Sequence, residues 1–111
     1  MAAMDLHRLA EERSVAYHRV IAARLRERPE ILREARQRVA GWLATSGQPP
    51  WRATQWAAIL DLELPAIESF LTERSELADE LRQSSPFAGA LSPRERWQIW
   101  RETRERLSPQ P

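Results

Sequence analysis

The chain has 111 residues, a formal net charge of +1 and no cysteine. That length makes one domain with a modest core, and disulfides and thiolate metal sites are excluded. All 17 basic residues are arginine, and there is no lysine and no asparagine.

The elements follow in chain order, and they predict an all-α fold. Residues 5–27 read as a long helix capped by Asp5. Its stripe is Leu6, Leu9, Ala16, Val20 and Ala23, widened by Tyr17, Ile21 and Leu25. Pro29 suits the first turn of a second helix, about 30–45, which buries Leu32, Ala35, Val39, Trp42 and Leu43 beside Ile31. Gly47 is expected to stop it, and Gln48-Pro49-Pro50 to form a rigid linker. A third helix spans about 51–61, with Trp56, Ile59 and Leu60 inward. A fourth starts at Pro65 and runs to about 72, with Ile67, Phe70 and Leu71 inward. Ser75 caps a fifth, about 76–83, with Leu77 and Leu81 inward.

The least generic stretch comes next. One helix ends near Gln83, because Pro86 biases Ser85 away from the α region. Another begins at Ser92, where Ser92, Pro93 and Glu95 spell an N-cap, a first-turn proline and a capping box. Between them, Phe87-Ala88-Gly89-Ala90-Leu91 carries no charge. Solvated loops are not written that way. Phe87 and Leu91 either plug the domain's own core or present an apolar edge to a partner. The last helix runs to about Arg106, with Trp97, Trp100 and Leu107 sharing a face and Ile99 to one side. The whole reads as a single bundle of five or six helices over 1–111, with frayed ends at about 1–4 and 108–111. No segment alternates with period two.

Charge is unevenly spread: +4 over residues 1–52, −5 over 53–92 and +2 over 93–111. The acidic middle is a docking surface for a basic partner, or it folds against the basic ends, or the pattern is chance. Asp5, Arg8, Glu11, Glu12, Arg13, Arg19 and Arg24 leave no room for a signal peptide or membrane span near the start. Together with an arginine-only composition, which suits GC-rich coding, this predicts a bacterial cytoplasmic protein.

Chemistry is sparse. His7, Glu11, Ser14 and His18 lie on one helical line, but the two histidines are roughly 16 Å apart at 1.5 Å per residue and cannot share an ion. A solvated polar face is the expectation, with no metal site. There is no nucleophile elbow, no glycine-rich phosphate loop and no lysine for Schiff-base work, so no catalytic residue and no cofactor are predicted. A small enzyme or ligand-binding bundle would need a deep pocket lined by His7, Glu11, Tyr17 or His18. Residues 54–71 have the apolar spacing of a degenerate helix-turn-helix, with Ala57 and Leu60 in the first helix, Leu62 as the turn plug, and Ile67 and Leu71 in the second. Glu63, Glu68 and Glu73 argue against that helix meeting DNA. A patch at Arg33, Arg36 and Arg38 is the other nucleic-acid candidate.

Of the five tryptophans, Trp42, Trp56 and Trp97 fall on inward stripes. Trp51, at a helix start after two prolines, and Trp100, on a shoulder of the last helix, join Phe87 and Leu91 as the candidate partner-binding set.

Several stretches carry a resemblance. They are Ser-Val-Ala-Tyr-His-Arg at 14–19, Pro-Glu-Ile-Leu-Arg-Glu-Ala-Arg-Gln-Arg-Val at 29–39, Trp42, Trp56, and Arg-Gln-Ser-Ser-Pro-Phe-Ala-Gly-Ala-Leu-Ser-Pro-Arg-Glu-Arg-Trp at 82–97. Over about four fifths of its length the chain resembles small all-helical bacterial proteins from the antitoxin side of toxin–antitoxin gene pairs. The resemblance implies a non-catalytic domain that neutralises a cognate protein toxin encoded by a neighbouring gene. DNA binding and a homodimer are compatible with it; no residue-level activity comes with it.

Overall fold

Helix boundaries are set by local chemistry, and six helices result. They are α1 (Leu6–Arg24), α2 (Pro29–Ala44), α3 (Trp51–Leu60), α4 (Leu64–Leu71), α5 (Glu76–Arg82) and α6 (Pro93–Leu107). The computed structural model describes residues 5–45 and 50–108. The expected stop at Gly47, most of the proline linker and the chain ends at 1–4 and 109–111 lie outside those residues. Asp5 accepts the His7 and Arg8 amides and so caps α1. Ser75 caps α5 through the Ala78 amide. Ser92 and Glu95 form the full capping box of α6, with Ser92 Oγ accepting the Glu95 amide and the Glu95 carboxylate accepting the Ser92 amide. Ser108 is not frayed, since its hydroxyl and its amide both donate to the Arg104 carbonyl.

Helix α1 is the spine. It packs against α6, α4 and α5, while α2 lies on α3 and α3 reaches α4 and α5. The core runs through Ile21, Leu25, Trp56, Ile67, Leu71, Leu81 and Phe87. Trp56, with no exposed surface, is at its centre. Its indole Nε1–H donates to the Leu81 carbonyl at 3.0 Å, which satisfies the one polar atom the ring brings inside. Phe70 and Phe87 meet Trp56 edge-to-face at 5.8 and 6.1 Å, and His18 meets Phe87 in the same manner at 6.4 Å. An aromatic chain therefore crosses the domain from α4 to α1.

Several inward assignments are corrected. Leu6, Leu62 and Leu77 are exposed, and so is Trp97. Leu62 thus does not plug the turn between α3 and α4. On α1, Ala23 is exposed, and the buried line is Leu9, Val15, His18, Ile21 and Leu25. On α6 the only fully buried residue is Thr103, with Ile99, Trp100 and Leu107 half-buried beside it. Thr103 can face the core because its hydroxyl donates back to the Ile99 carbonyl at 2.8 Å.

Phe87 and Leu91 are core residues, 2 % and 5 % exposed. The charge-free linker is a plug, and these two leave the partner-binding set. Arg38 on α2 donates to the Pro86 carbonyl at 2.6 Å, and its other terminal nitrogen lies 3.3 Å from where a side chain at Gly89 would begin. Arg24 on α1 donates to the Ala90 carbonyl and pairs with Glu95. The plug is therefore clasped by two helices. Phe87→Ala is expected to cost about 3–5 kcal/mol of stability, and Trp97→Ala no more than about 1 kcal/mol. Urea unfolding of the two variants checks the contrast.

Candidate functional site

Helix α6 is packed on one side only, and its open side holds the least ordinary surface of the molecule. Trp97 is 57 % exposed there. The Arg101 guanidinium lies over its ring at 5.1 Å. The neighbouring Trp100 ring carries Arg13 of α1 at 3.8 Å and Arg104 at 5.7 Å. Arg96 covers Tyr17 of α1 at 5.3 Å. Cation–π contacts of this kind stabilise by about 0.5–1 kcal/mol each at exposed sites and hold both partners in place. Arg13, Arg96 and Arg104 form no ion pair among the described residues. Burial lowers the pKa of Arg13, and the nearby charge of Arg104 adds to the effect. The face is aromatic and carries unneutralised positive charge. A surface concavity of about 280 Å³ lies between Tyr17, Arg96, Trp97 and Trp100.

A second concavity, about 360 Å³, adjoins it and shares Tyr17 and Arg96. His18, Ser85 and Arg82 line its inner end. His18 Nδ1 lies 2.7 Å from the Ser14 carbonyl, so Nδ1 carries the proton and donates. Nε2, 2.8 Å from Ser85 Oγ, accepts the serine hydroxyl. Ser85 Oγ in turn accepts the Phe87 amide at 3.2 Å. Desolvation pushes the His18 pKa down to about 4, against the Ser14 hydrogen bond and with help from Arg82 and Arg96. The solvated histidine face expected from the sequence is thus half right. His7 is exposed and pairs with Glu11 at 2.9 Å, whereas His18 is buried and neutral. Carbonyl, imidazole and hydroxyl form a connected line, but so weak a base is poorly suited to activating the serine. Its evident work is to fix the 83–88 turn to α1.

Arg82 is buried, with its side chain fully enclosed. It donates to the Leu71 and Glu73 carbonyls and pairs with Asp79. Burial lowers its pKa, opposed by Asp79. Its Nε, like that of Arg13, is buried without a hydrogen-bond partner.

The nucleic-acid candidates are otherwise engaged. Arg36 donates through Nε and a terminal nitrogen to the Leu60 carbonyl at 3.1 and 2.9 Å, closing the end of α3. Arg38 is spent on Pro86. Of the three, only Arg33 has no hydrogen bond or ion pair among the described residues; it stands with Arg36 beside a groove of about 700 Å³ between α2 and α4, floored by Leu25, Leu32 and Ile67. On α4, Glu68 is bound in both oxygens by Arg26. The acidic middle does fold against the basic first part in places, through Arg26–Glu68 and Arg52–Glu80. Trp51 is 52 % exposed at the start of α3 and does not line the α6 concavities.

Of the residues expected to meet a partner, Trp51 is exposed and Trp100 half-buried, whereas Phe87 and Leu91 are buried; Arg13, Tyr17, Arg96 and Trp97 stand with Trp100 at the α1–α6 concavities. The alternation of Arg96, Trp97, Trp100, Arg101 and Arg104 along one helix was the available signal. Among the described residues, no cluster of His, Asp and Glu could hold a metal ion, and no helix is long and apolar enough to cross a membrane. No known protein family, no curated protein and no solved structure significantly matches the chain.

The His18 environment has a pH signature. Its pKa is about 4 folded against about 6.5 unfolded, so between these values the unfolded chain holds the extra proton. Stability is then highest above pH 6.5 and falls by roughly 3 kcal/mol as the pH drops to about 4. Glu95, held down to about 2 by Arg24 and then by the Ser92 amide, acts in a lower window, losing its contribution as pH falls from about 4.5 toward 2. Urea midpoints measured from pH 8 to 3 are expected to slope between 6.5 and 4 in the wild type and to flatten there in His18→Gln, while Glu95→Gln lowers the midpoint above pH 4.5 and flattens the more acidic limb.

Proposed function

We propose that this chain is a non-catalytic interaction module that captures a cognate protein on the open side of α6, and that it serves as an antitoxin. The carrying observation is Trp97, a large aromatic side chain left 57 % exposed on a helix packed on one side, within a field of arginines. Tryptophan and arginine are the residue types most enriched in interface hot spots. Trp97, Trp100 and Tyr17 supply desolvated contact area, and Arg13, Arg96 and Arg104 supply the rim. Charge complementarity then favours a partner with an acidic surface at this point. A basic toxin steered by residues 53–92 has less support, because Glu68, Glu80 and Asp79 are already paired within the fold. Neutralisation would follow from covering the toxin's working surface, and the all-helical resemblance over residues 14–101 is what points to a toxin.

A DNA-binding regulator is the alternative from a different class. It is weaker on geometry, since Arg36 and Arg38 are committed to backbone carbonyls and α4 shows Glu68 outward in an ion pair.

Co-expression of the tagged chain with its immediate gene neighbours tests the reading. A neighbour product is expected to co-purify stoichiometrically, to arrest growth when expressed alone, and to lose at least about 30-fold in affinity for a Trp97→Ala, Trp100→Ala double variant, as hot-spot truncation of about 2 kcal/mol or more implies. A clean eluate, or a complex indifferent to the double variant, would sink the assignment of this face.

A further inference from the structure

The two adjoining concavities beside α6 differ in chemistry, and the difference is informative. The inner one is lined by Arg13, Arg82 and Arg96, and no aspartate or glutamate lines it. Asp79 pairs with Arg82 from outside that lining. Arg13 and Arg96 have no acidic partner among the described residues, and the Nε atoms of Arg13 and Arg82 are buried without hydrogen bonds. Buried donors that stay unpaired are costly, and the charges of Arg13 and Arg96 have no counter-charge among the described residues. Both costs are relieved by an oxyanion. Guanidinium groups match the geometry of phosphate, and two arginines without acidic partners at one opening suit it. The outer concavity is aromatic, and it shares Tyr17 and Arg96 with the inner one. A ligand with its phosphate inside would place whatever it is esterified to against Tyr17, Trp97 and Trp100. At about 360 and 280 Å³, each space alone lies near the lower end of ligand pockets, about 300–1,000 Å³, and the pair suits a small molecule of two parts.

We propose that this double concavity binds a nucleoside monophosphate group, with the phosphate held by Arg13 and Arg96 over the Arg82 floor and the base stacked on the aromatic side chains of the α1–α6 groove. Stacking on aromatic side chains is tolerant of base identity. The same chemistry is offered by a free nucleotide and by the 5′-phosphorylated end of a single strand.

The test uses the full chain alone, so its outcome does not depend on any protein partner. Tryptophan fluorescence and calorimetric titrations compare AMP, adenosine, inorganic phosphate, and a four-nucleotide oligoadenylate RNA with and without its 5′ phosphate. AMP is expected to bind at least about tenfold tighter than adenosine or phosphate alone, since each contributes one half of the recognition. Arg96→Gln and Trp97→Ala, both at exposed positions, are each expected to weaken AMP roughly tenfold with circular dichroism unchanged and the urea midpoint lowered only slightly. If the phosphorylated oligonucleotide binds tighter than AMP, the strand end is the natural ligand; if AMP binds as tightly or tighter, the free nucleotide is. The proposal is overturned if none of the probes binds, if AMP binds no tighter than adenosine, if the two oligonucleotides bind alike, or if Arg96→Gln binds AMP as the wild type does.

Discussion

The seating of residues 83–92 is the constraint on which the rest of the structure depends. This segment inserts Phe87 and Leu91 into the core and then starts α6 at a fixed place and angle. Three side chains from elsewhere secure it: His18 through Ser85, Arg38 through the Pro86 carbonyl, and Arg24 through the Ala90 carbonyl and Glu95. Hydrophobic burial supplies the driving force, but it is not directional. The hydrogen bonds satisfy the backbone of a segment with no regular structure of its own and choose one orientation for it. Without that clasp α6 would be held by its narrow Ile99–Thr103–Leu107 stripe and by the Arg13–Trp100 and Arg96–Tyr17 contacts alone.

Arginine has a second structural task here. Helices α3 and α4 are short and have no basic residue in their last turns. Their final carbonyls are met from a distance, by Arg36 on α2 for α3 and by Arg82 on α5 for α4. A planar fork with several donors does this better than a single ammonium, because it can satisfy a carbonyl and still reach another group. Arg82 does so at Leu71, Glu73 and Asp79 together. Arg13, Arg96 and Arg104, like Arg33 on α2, have no such role and no ion pair among the described residues.

Much of this was legible in the sequence, and the misses share a physical cause. Caps and prolines placed all six helices within a few residues, because those signals are local. Phe87-Ala88-Gly89-Ala90-Leu91 was readable as a plug or an edge, and packing decided for the plug. The faces of α1 and α6 were misjudged because a polar residue lies on each buried line. His18, neutral and bonded at both nitrogens, packs like an aromatic hydrocarbon against Phe87. Thr103 hides its hydroxyl in its own helix. Scored as polar, they broke the true stripes, and the larger Trp97 then drew the α6 face around itself. The double concavity was out of reach, since it joins residues from α1, α5, the 83–88 turn and α6, which only tertiary packing brings together.

The clasp also bears on the order of events as the chain folds. Helical domains of this size fold quickly when their contacts are local. Here the bonds that seat the 83–92 segment span 67 residues from His18 to Ser85, 66 from Arg24 to Ala90 and 71 from Arg24 to Glu95. Each requires most of the chain to be closed into a loop before it can form, at an entropic cost that local helix formation never meets. Closing α1 on the α4–α5 region spans a similar length, 62 residues from Glu12 to Arg74, and the plug joins the same closure around Trp56. The aromatic and basic face of α6, which exists only once that closure is complete, is therefore displayed by the finished molecule and not by its partly folded forms.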